Sequence, residues 1–423
     1  MSPELAGEDA RTVDLLVVGG GIAGLTTAIE ASEAGLQVAL IEREPTLGGR
    51  VARFHHYFPK LCPPSCGLEI NFRRLRENER VKVHTLTTIE KVEGTAGNYT
   101  VILKIKPRYV KPNSMDYTTW AESCPVELDD PFNYGMNKRK ALYYPAENAF
   151  PAQWVVDERA VKDPAFVDWA KSCPDGGIDL EMGEQTITYS AKSIALATGW
   201  VPYDANKLDL LGYGSDPDII TNVQFERLSA PNGPTGGKLQ APSGKEIKSV
   251  AFVQCAGSRD RDHLPFCSGV CCAASLKQTS YLREKLPESA IHMFYIDVRT
   301  PGRLEDFYQD RQEDPVITLH RGKVAKVERN GAGLKVTAEN TLTGNLETVE
   351  VDLVVLATGM QPATALEKPV AEVELDEYGF IVQSDEATGV YGVGTAVRPL
   401  AVAETLQDAT GAAMKALQMA RRS

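Results

Sequence analysis

The spacing of apolar residues near the start of the chain predicts a β-strand, an amphipathic helix and a second β-strand. The apolar run VDLLVV covers residues 13–18, IAGLTTAIEASEAG follows with apolar residues at helical intervals, and VALI ends just before Glu42. This order is a βαβ unit. Gly19, Gly21 and Gly24 lie between the first strand and the helix with the spacing G-x-G-x-x-G, which is typical of dinucleotide-binding units.

Each part of this unit has a physical role in the predicted site. The glycines allow a tight turn and a close approach of the backbone to a pyrophosphate, and the free N–H groups of Ile22 and Ala23 favour an anion at the start of the helix. Glu42 lies at the offset from which a carboxylate reaches the ribose hydroxyls. A glycine-rich connector would not require these flanking features, so we interpret the unit as a dinucleotide site.

A second βαβ pattern occupies residues 248–299. KSVAFVQCAGS predicts a strand, GVCCAASLKQTSYLREKL a helix, and AIHMFYIDVR the next strand. The glycine turn is missing, because the chain runs through Cys255, Ala256, Gly257 and Ser258 and then a polar stretch to Cys267. A nicotinamide dinucleotide would lack its backbone cradle there, so we expect no NAD(P)H binding.

Four of the eight cysteines, Cys255, Cys267, Cys271 and Cys272, fall within this second unit. They could pack as small hydrophobic residues, bind zinc, or bind an iron–sulfur cluster. Adjacent Cys271 and Cys272 are an awkward pair of ligands for one tetrahedral ion. A cluster accepts neighbouring thiolates, and the start of a helix stabilises its negative charge, so we favour the cluster.

The composition limits the remaining possibilities. A chain of 423 residues with 43% hydrophobic residues is long enough for two or three domains. Its net charge of −12 argues against a nucleic-acid partner. No apolar run is long enough to span a membrane, and the acidic, polar start of the chain does not have the pattern of a signal peptide, so we expect a cytoplasmic protein. Cysteines in that reducing compartment are expected to be thiols, metal ligands or redox groups.

Four further stretches resemble the flavoproteins with two dinucleotide-binding domains. EREPTLGGR resembles the loop that lies against the flavin pyrophosphate in that superfamily, SIALATGW and LVVLATGM resemble its crossings between domains, and GVYGVGTAV resembles the turn at the flavin ribityl chain. The superfamily's usual Asp in that turn is replaced by Thr395. The resemblance implies non-covalent FAD and an α/β fold whose second Rossmann unit is inserted in the FAD domain, like that of thioredoxin and disulfide reductases.

The predicted cofactor-binding residues combine the glycine motif with this resemblance. They are Gly19, Gly21, Ile22, Ala23, Gly24, Glu42, Arg43, Gly48, Gly49, Arg50, Thr198, Gly199, Gly394 and Thr395. We predict that residues 1–105 form the first part of the FAD-binding domain and residues 106–190 a degenerate ferredoxin-like insert or cover segment. Residues 191–350 form the second Rossmann-like domain with the cysteine cluster, and residues 351–423 return to the FAD domain.

The cysteine region makes the resemblance more specific. QCAGSRDRDHLPFCSGVCCAASLKQ and YIDVRTPGRLEDFY resemble the flavoprotein A subunits of heterodisulfide reductase, over nearly the whole chain, which implies one 4Fe-4S cluster on the four clustered cysteines beside FAD. With FPKLCPPSCGLEINFRRL, the chain is most similar to the A subunits of the quinone-interacting membrane-bound oxidoreductase complexes of sulfate reducers. Unlike heterodisulfide reductase A subunits, residues 107–182 keep only SCP at Cys124 and at Cys173, so we expect no additional cluster there.

Two other pairs of residues have open interpretations. Cys62 and Cys66 could be structural thiols, a dithiol that exchanges with reduced flavin, or ligands of a partner's cluster. His55 and His56 could contact a flavin or a quinone, with a solvated pair as the favoured alternative.

The resemblance implies an FAD-dependent oxidoreductase subunit that links the quinone pool to cytoplasmic sulfate respiration from the inner face of the membrane. Its implied partners are a second flavoprotein of the family with iron–sulfur clusters, a haem-bearing membrane subunit that binds quinone, and adenylylsulfate reductase. The aromatic-rich residues 131–156 are the predicted docking surface, with a cover over the flavin domain as the alternative. The alternative functions are a stand-alone NAD(P)H-dependent disulfide reductase using Cys62 and Cys66, and a non-catalytic subunit that binds FAD structurally.

Overall fold

The structure is a computed structural model that describes residues 11–58, 60–112, 114–383 and 388–422. Most of the acidic stretch that argued against a signal peptide therefore lies outside the described residues. Among the described residues, no helix is both long and apolar enough to cross a membrane.

Strands and helices alternate in the first part of the chain, as the apolar pattern predicts. The elements are β1 Arg11–Val18, α1 Ile22–Glu33, β2 Val38–Ile41, α2 Pro64–Arg76, β3 Val81–His84, β4 Thr87–Thr95 and β5 Asn98–Ile105. The predicted βαβ unit is β1, α1 and β2. Helix α1 buries Leu25, Ala28 and Ile29, which are spaced along one helical face.

Residues 106–184 form an insert with its own hydrophobic core. Its elements are α3 Thr118–Ala121, β6 Glu127–Asp129, β7 Lys138–Lys140, β8 Leu142–Tyr143, β9 Val155–Val156 and α4 Pro164–Ala170. The core includes Tyr117, Cys124 and Phe166, all fully or nearly fully buried.

The chain then returns to the first sheet and crosses into a second domain. The elements are β10 Gln185–Leu196, β11 Trp200–Pro202, β12 Ile219–Thr221, α5 Asn222–Ser229, β13 Ser249–Ala256, α6 Cys271–Lys285, β14 Ala290–Tyr295, α7 Leu304–Gln312, β15 Ile317–Arg321, β16 Val324–Asn330, β17 Gly333–Glu339, β18 Leu346–Val351, β19 Leu353–Thr358 and β20 Met360–Pro362. The last elements are β21 Val390–Gly392 and α8 Val402–Arg422, back in the first domain.

The first sheet has seven strands in the order β3-β2-β1-β10-β5-β4, and β21 also pairs with β10. Strands β3, β2, β1 and β10 are parallel, so their carboxyl ends lie at one edge. The register pairs Val18 with both Ile41 and Leu196. The glycine turn, Glu42 and the crossing after Leu196 therefore meet at that edge, where parallel α/β sheets bind ligands.

The second sheet has five parallel strands in the order β12-β19-β13-β14-β15. A three-stranded antiparallel sheet, β16-β17-β18, shares a hydrophobic core with it. Strands β11 and β20 pair with each other antiparallel, with Trp200 opposite Pro362. They directly follow the two Ala-Thr-Gly sequences, where the crossings between domains were predicted.

Strand pairing moves two of the predicted domain boundaries. Strand β10 lies in the first sheet along its whole length, so the first domain continues past residue 190 to Leu196. Strand β19 pairs with β12 and β13, so the second domain continues past residue 350 to Thr358. The reason is that each buried strand precedes its Ala-Thr-Gly sequence, and the chain leaves the sheet only after that sequence.

Candidate functional site

The glycine turn at the end of β1 is shaped by close packing. Gly19 has φ of +106°, and a Cβ atom at Gly24 would lie 1.8 Å from the Gly19 carbonyl oxygen. Both positions therefore require glycine if α1 is to pack on β1. Gly21 differs, because a Cβ atom there would meet only the Cα atom of Gly49, at 4.0 Å. The space beside Gly21 thus fits the predicted close approach of a pyrophosphate.

The predicted glycine pair after β2 lies directly on this turn. The N–H group of Gly48 donates to the carbonyl of Gly20 at 2.9 Å. A Cβ atom at Gly49 would lie 2.8 Å from the Cα atom of Gly21. The two glycine segments therefore pack backbone to backbone, which no larger residue at position 49 would permit.

Glu42 is buried at the end of β2 and faces the same turn. Its carboxylate accepts hydrogen bonds from the N–H groups of Gly20, at 2.7 Å, and Glu44, at 2.8 Å. Burial raises the pKa of the carboxyl group, while these two hydrogen bonds act in the opposite direction. The carboxylate is held in place by the backbone and keeps further lone pairs for a ribose hydroxyl.

Arg50 connects the glycine pair to two other parts of the chain. Its Nε donates to the carbonyl of Trp200, and its Nη1 donates to the hydroxyl of Tyr134 at 3.3 Å. Burial lowers the pKa of the guanidinium group. Arg50 therefore links the loop to the crossing segment and to the insert.

A single cavity of about 900 Å³ extends from the glycine turn to the start of α6. This volume is within the ~300–1,000 Å³ typical of ligand sites. Most of the predicted cofactor residues line it: Gly19, Gly21, Ile22, Ala23, Glu42, Arg43, Gly49, Arg50, Thr198, Gly199 and Thr395. The cavity also contacts Cys271, so residues of both domains form its wall.

Three predicted cofactor residues, Gly24, Gly48 and Gly394, lie behind this wall. The N–H group of Gly394 donates to Asp408 of α8 at 2.6 Å, so it is not available to a ligand. The prediction that Gly394 contacts the flavin therefore does not match its position. Thr395, the next residue, lines the cavity.

The polar groups of the cavity fit an FAD. Thr198 Oγ1 is buried and has no hydrogen-bond partner within the described ranges, so it is available to a ligand. Gly21 and Gly49 would hold the pyrophosphate, and Glu42 would hold the ribose. The sequence of the site and its geometry thus agree on a dinucleotide.

In the second domain, side chains occupy the place where a glycine turn would cradle a nucleotide. A Cβ atom at Gly257 would lie 2.5 Å from Cδ1 of Tyr203, because the tyrosine ring packs on the backbone there. Cys255 has φ of +57°, and Leu264 donates its N–H to the Gly257 carbonyl at 3.0 Å. The loop is folded on itself rather than open to a pyrophosphate.

The four clustered cysteines come from three neighbouring segments: Cys255 from β13, Cys267 from the following loop, and Cys271 and Cys272 from the first turn of α6. The thiol of Cys271 donates to the Thr358 carbonyl at 3.7 Å, and the thiol of Cys272 to a main-chain carbonyl at 3.8 Å. Cys255 and Cys272 are buried, and the other two are half-buried.

The cysteines also influence one another electrostatically. Burial, and to a lesser extent the neighbouring Cys272, raises the pKa of Cys255 to about 11. The pKa of Cys271 is raised by burial and then by the other three cysteines. Four thiols held together in this way are a suitable donor set for a cationic iron–sulfur core, which stabilises their thiolate form. Among the described residues, no group of three or more His, Cys, Asp or Glu side chains has the geometry to hold a metal ion as it stands.

A buried ion pair that sequence reasoning missed lies in the cavity wall. Glu226 of α5 and Lys277 of α6 are 4% and 5% exposed, with 2.7 Å between Oε1 and Nζ. Lys277 also donates to the His56 carbonyl at 2.7 Å, and Glu226 accepts from the His55 N–H at 3.0 Å. Both line the cavity, as Cys271 does. No sequence motif identifies these two residues as a pair. Their burial becomes visible only once α5 and α6 are packed in the fold.

His55 and His56 support this ion pair through their backbone rather than contacting the cavity. Their rings stack at 3.9 Å and lie against Tyr281. Neither lines the cavity. His55 is buried, and burial lowers its pKa to about 3, so the interpretation as a solvated pair is wrong for this residue.

Cys62 and Cys66 lie outside the cavity wall. Both are free thiols; Cys62 is half-buried and Cys66 is exposed. Cys66 is in the first turn of α2, and the thiol of Cys62 contacts the Lys60 carbonyl at 3.7 Å. The structure thus separates this pair from the residues predicted to hold FAD, and its role stays a prediction.

Part of the predicted docking surface packs against the chain itself. Arg227 of α5 is fully buried and donates to Asn133 of the insert at 2.7 Å and to the Arg53 carbonyl at 3.2 Å. Its guanidinium group lies 4.7 Å from the centroid of the Phe132 ring. The start of this segment therefore covers the flavin domain and joins it to the second domain, as the alternative interpretation held.

The two Cys-Pro sequences of the insert belong to an internal repeat, WAESCP and WAKSCP. Trp120 and Trp169 occupy equivalent positions and stack at 3.8 Å. The Cys124 thiol donates to the Val126 carbonyl at 3.6 Å, and the Cys173 thiol lies 3.2 Å from a carboxylate oxygen. Each thiol thus has a partner within the insert.

Comparison with known proteins identifies both the fold and its relatives. Residues 17–83 match the family described as NAD(P)-binding Rossmann-like domain, and residues 296–419 the family described as pyridine nucleotide-disulphide oxidoreductase. The A subunit of the ferredoxin/F(420)H(2)-dependent CoB-CoM heterodisulfide reductase of Methanosarcina acetivorans is 35% identical over 84% of this chain. An iron-sulfur A subunit of the CoB–CoM heterodisulfide reductase of Methanopyrus kandleri is 33% identical over 95% of it. The chain spans 45% and 63% of the length of these two relatives.

Solved structures with low sequence identity share the fold. Thioredoxin reductase from T. acidophilum is 15% identical with a TM-score of 0.52, and the alignment covers 97% of this chain and 99% of that one. Thioredoxin reductase from Lactococcus lactis is 12% identical with a TM-score of 0.54, with 97% and 100% covered. These similarities confirm the predicted α/β fold with two dinucleotide-type domains.

Proposed function

We propose that this chain, which is similar to heterodisulfide reductase A subunits over most of its length, is an oxidoreductase subunit of that family, that it binds one FAD and one 4Fe-4S cluster, and that it passes electrons between them. The observation that carries the proposal is the shared cavity. The glycine turn and Glu42 form one part of its wall, and Cys271 forms another. A dinucleotide held by the first part and a cluster held by the four cysteines would be neighbours.

The chemistry of the two groups is complementary: when bound, FAD exchanges two electrons and the cluster exchanges one at a time. Two successive one-electron transfers therefore balance each two-electron change. The thiolates of Cys255, Cys267, Cys271 and Cys272 would be the ligands of the cluster. The blocked turn at Gly257 supports a route through the cluster rather than through a nicotinamide.

Lys277 and Glu226 have a role in this proposal that follows from their burial. Negative charge accumulates in the cavity on reduction, and water is largely excluded from the wall around this ion pair. An ammonium group fixed by Glu226 and by the His56 carbonyl is a preorganised positive charge there. It would favour the reduced state.

We also propose that the chain works within a membrane-associated complex of sulfate respiration, as its resemblance to the quinone-interacting A subunits implies. The partners would be adenylylsulfate reductase, a cluster-rich flavoprotein of the same family, and a haem-bearing membrane subunit that binds quinone. Support comes from the relatives, whose names describe subunits, and from the proposed relay, which needs an external donor and an external acceptor. Purification of the tagged chain from native membranes tests this; a soluble monomer that is catalytically complete alone would contradict it.

The cofactor proposal is tested on anaerobically purified chain. We expect FAD, with iron and acid-labile sulfide in the amounts of one 4Fe-4S cluster. Zinc in place of iron, or no metal, would contradict the cluster. Stopped-flow mixing with NADH and NADPH separates the alternative functions: rapid bleaching of the flavin would favour a disulfide reductase using Cys62 and Cys66. A flavin that low-potential donors cannot reduce would favour a structural role for FAD.

A further inference from the structure

Three buried polar side chains on the segments that carry the clustered cysteines have no hydrogen-bond partner among the described residues. They are Gln254, Ser258 and Ser275, which are 2%, 2% and 0% exposed. Both polar atoms of the Gln254 amide lack a partner. A buried polar group without a partner costs about 1–3 kcal/mol, so three of them at one place require a physical reason.

Their positions relate each of them to a cysteine. Gln254 immediately precedes Cys255, within an irregularity in the pairing of β13 with β19. Ser275 is on α6 one turn after Cys271, and residues four apart lie on the same face of a helix.

The position of the Ser258 hydroxyl is defined by the backbone that follows Thr358. A Cβ atom at Gly359 would lie 2.1 Å from the Ser258 hydroxyl oxygen, so this hydroxyl lies against the residue after Thr358. The Thr358 carbonyl is the group that the Cys271 thiol contacts, at 3.7 Å. The hydroxyl and the thiol therefore approach the same short piece of backbone.

The missing partner of Ser275 is unusual for a serine on a helix. A buried helical hydroxyl normally donates to a carbonyl of the preceding turn. Thr279, one turn later on α6, does so to Leu276 at 2.7 Å, and Ser229 on α5 does so to Phe225 at 2.8 Å. Ser275 does not make this bond, although carbonyl groups of the preceding turn of α6 are available to it in the same way. We take this to indicate that its hydroxyl has another acceptor.

We propose that Ser275, Ser258 and Gln254 donate hydrogen bonds to the sulfur atoms of the iron–sulfur cluster and its cysteine ligands, and thereby raise its reduction potential. The inference rests on the proposed function, because it requires the cluster. The sulfur atoms are anionic acceptors, and reduction adds negative charge. Donors aimed at them stabilise the reduced state more than the oxidised state, which raises the potential.

The test is an anaerobic redox titration of the FAD-loaded chain, followed by electron paramagnetic resonance of the reduced cluster. The variants are Ser275→Ala and Gln254→Met, with Ser275→Thr to restore the hydroxyl. Ser229→Ala is the matched control, since it removes a buried helical hydroxyl whose partner is a carbonyl. In the double variant that combines Ser275→Ala with Gln254→Met, we expect the midpoint potential of the cluster to fall by ~59 mV. At the wild-type midpoint, the ratio of oxidised to reduced cluster would then be about tenfold higher than in the wild type.

The outcomes separate this inference from the proposed function. Wild-type chain without iron would overturn both. Iron-loaded Ser275→Ala and Gln254→Met variants with the wild-type midpoint would overturn this inference alone. A negative shift in these variants, its reversal in Ser275→Thr and an unchanged midpoint in Ser229→Ala would establish it. If Ser275→Ala loses iron, the titration of Gln254→Met decides.

Discussion

Replacing Glu226 by Gln removes a charge from the buried ion pair while keeping the shape of the side chain. The Lys277 ammonium group would keep its bond to the His56 carbonyl but lose its counter-ion at 2.7 Å. Both side chains are about 95% buried, so water cannot replace the lost partner. Removing one member of such a pair costs about 3–5 kcal/mol. We expect Glu226→Gln to destabilise the chain by this amount.

A double-mutant cycle isolates the interaction. Lys277→Met alone leaves the carboxylate of Glu226 unpaired, whereas Glu226→Gln with Lys277→Met leaves no buried charge. The double variant should therefore be more stable than the sum of the two single effects predicts, by at least ~2 kcal/mol. Urea unfolding of the FAD-loaded chain, followed by circular dichroism and flavin fluorescence, measures the unfolding free energy of each variant. The comparison is valid for variants that share the wild-type m-value.

An exposed ion pair is the matched control. Arg73 on α2 and Glu77 directly after this helix are 76% and 68% exposed, so Glu77→Gln should change stability by less than ~0.5 kcal/mol. Strictly additive effects of Glu226→Gln and Lys277→Met, or a Glu226→Gln variant as stable as Glu77→Gln, would refute the reasoning.

Three further predictions follow from the site. Gly21→Val should fold, because a Cβ atom there meets no protein atom closer than 4.0 Å, but it should lose FAD on gel filtration, because the side chain occupies the space predicted for the pyrophosphate. Gly24→Val should impair folding, since its Cβ would lie 1.8 Å from a carbonyl oxygen. A yellow, FAD-saturated Gly21→Val would contradict this. Cys271→Ser should lose iron under anaerobic purification while Cys173→Ser keeps it, and equal iron contents would contradict the ligand assignment. His55 has a folded pKa of about 3, below its ordinary ~6.5, so the unfolded chain binds the proton and stability falls as pH decreases from ~6.5 towards 3, by at most ~1.4 kcal/mol per pH unit. His55→Phe should reduce this slope in urea unfolding at several pH values, and an unchanged slope would count against it.

The insert shows how a compositional signal can be read in two ways. Aromatic residues in 131–156 suggested a docking surface, since such residues favour interfaces. Phe132 and Asn133 instead form an interface within the chain, against Arg227. An internal domain junction and a surface for a partner have similar compositions, so sequence could not separate them. This internal interface accounts only for the start of the segment, and docking by the rest of residues 131–156 stays a prediction.

The sequence by itself determined the elements and the position of the glycine turn. Helix α1 and strand β2 follow from the period of apolar residues, and the turn between β1 and α1 follows from backbone conformations that glycine permits; these are local properties of the chain. The two crossings were predicted from a resemblance of short sequences, which are also local. For the same reason, the absence of a second glycine turn at Cys255 was visible without a structure. The clustering of four cysteines was also visible, because they lie within 18 positions of each other in the sequence.

Only the tertiary structure decided which buried polar groups meet. Glu226 pairs with Lys277 on the next helix, and Arg227 bonds to Asn133 at a separation of 94 residues. Asp408 of α8 accepts a hydrogen bond from the N–H of Gly394, a residue predicted to bind the cofactor. Each of these contacts joins different elements of the fold, and no local pattern encodes the distance between them. They are set by how the sheets, helices and insert pack, because buried polar groups must find partners wherever the packing places them.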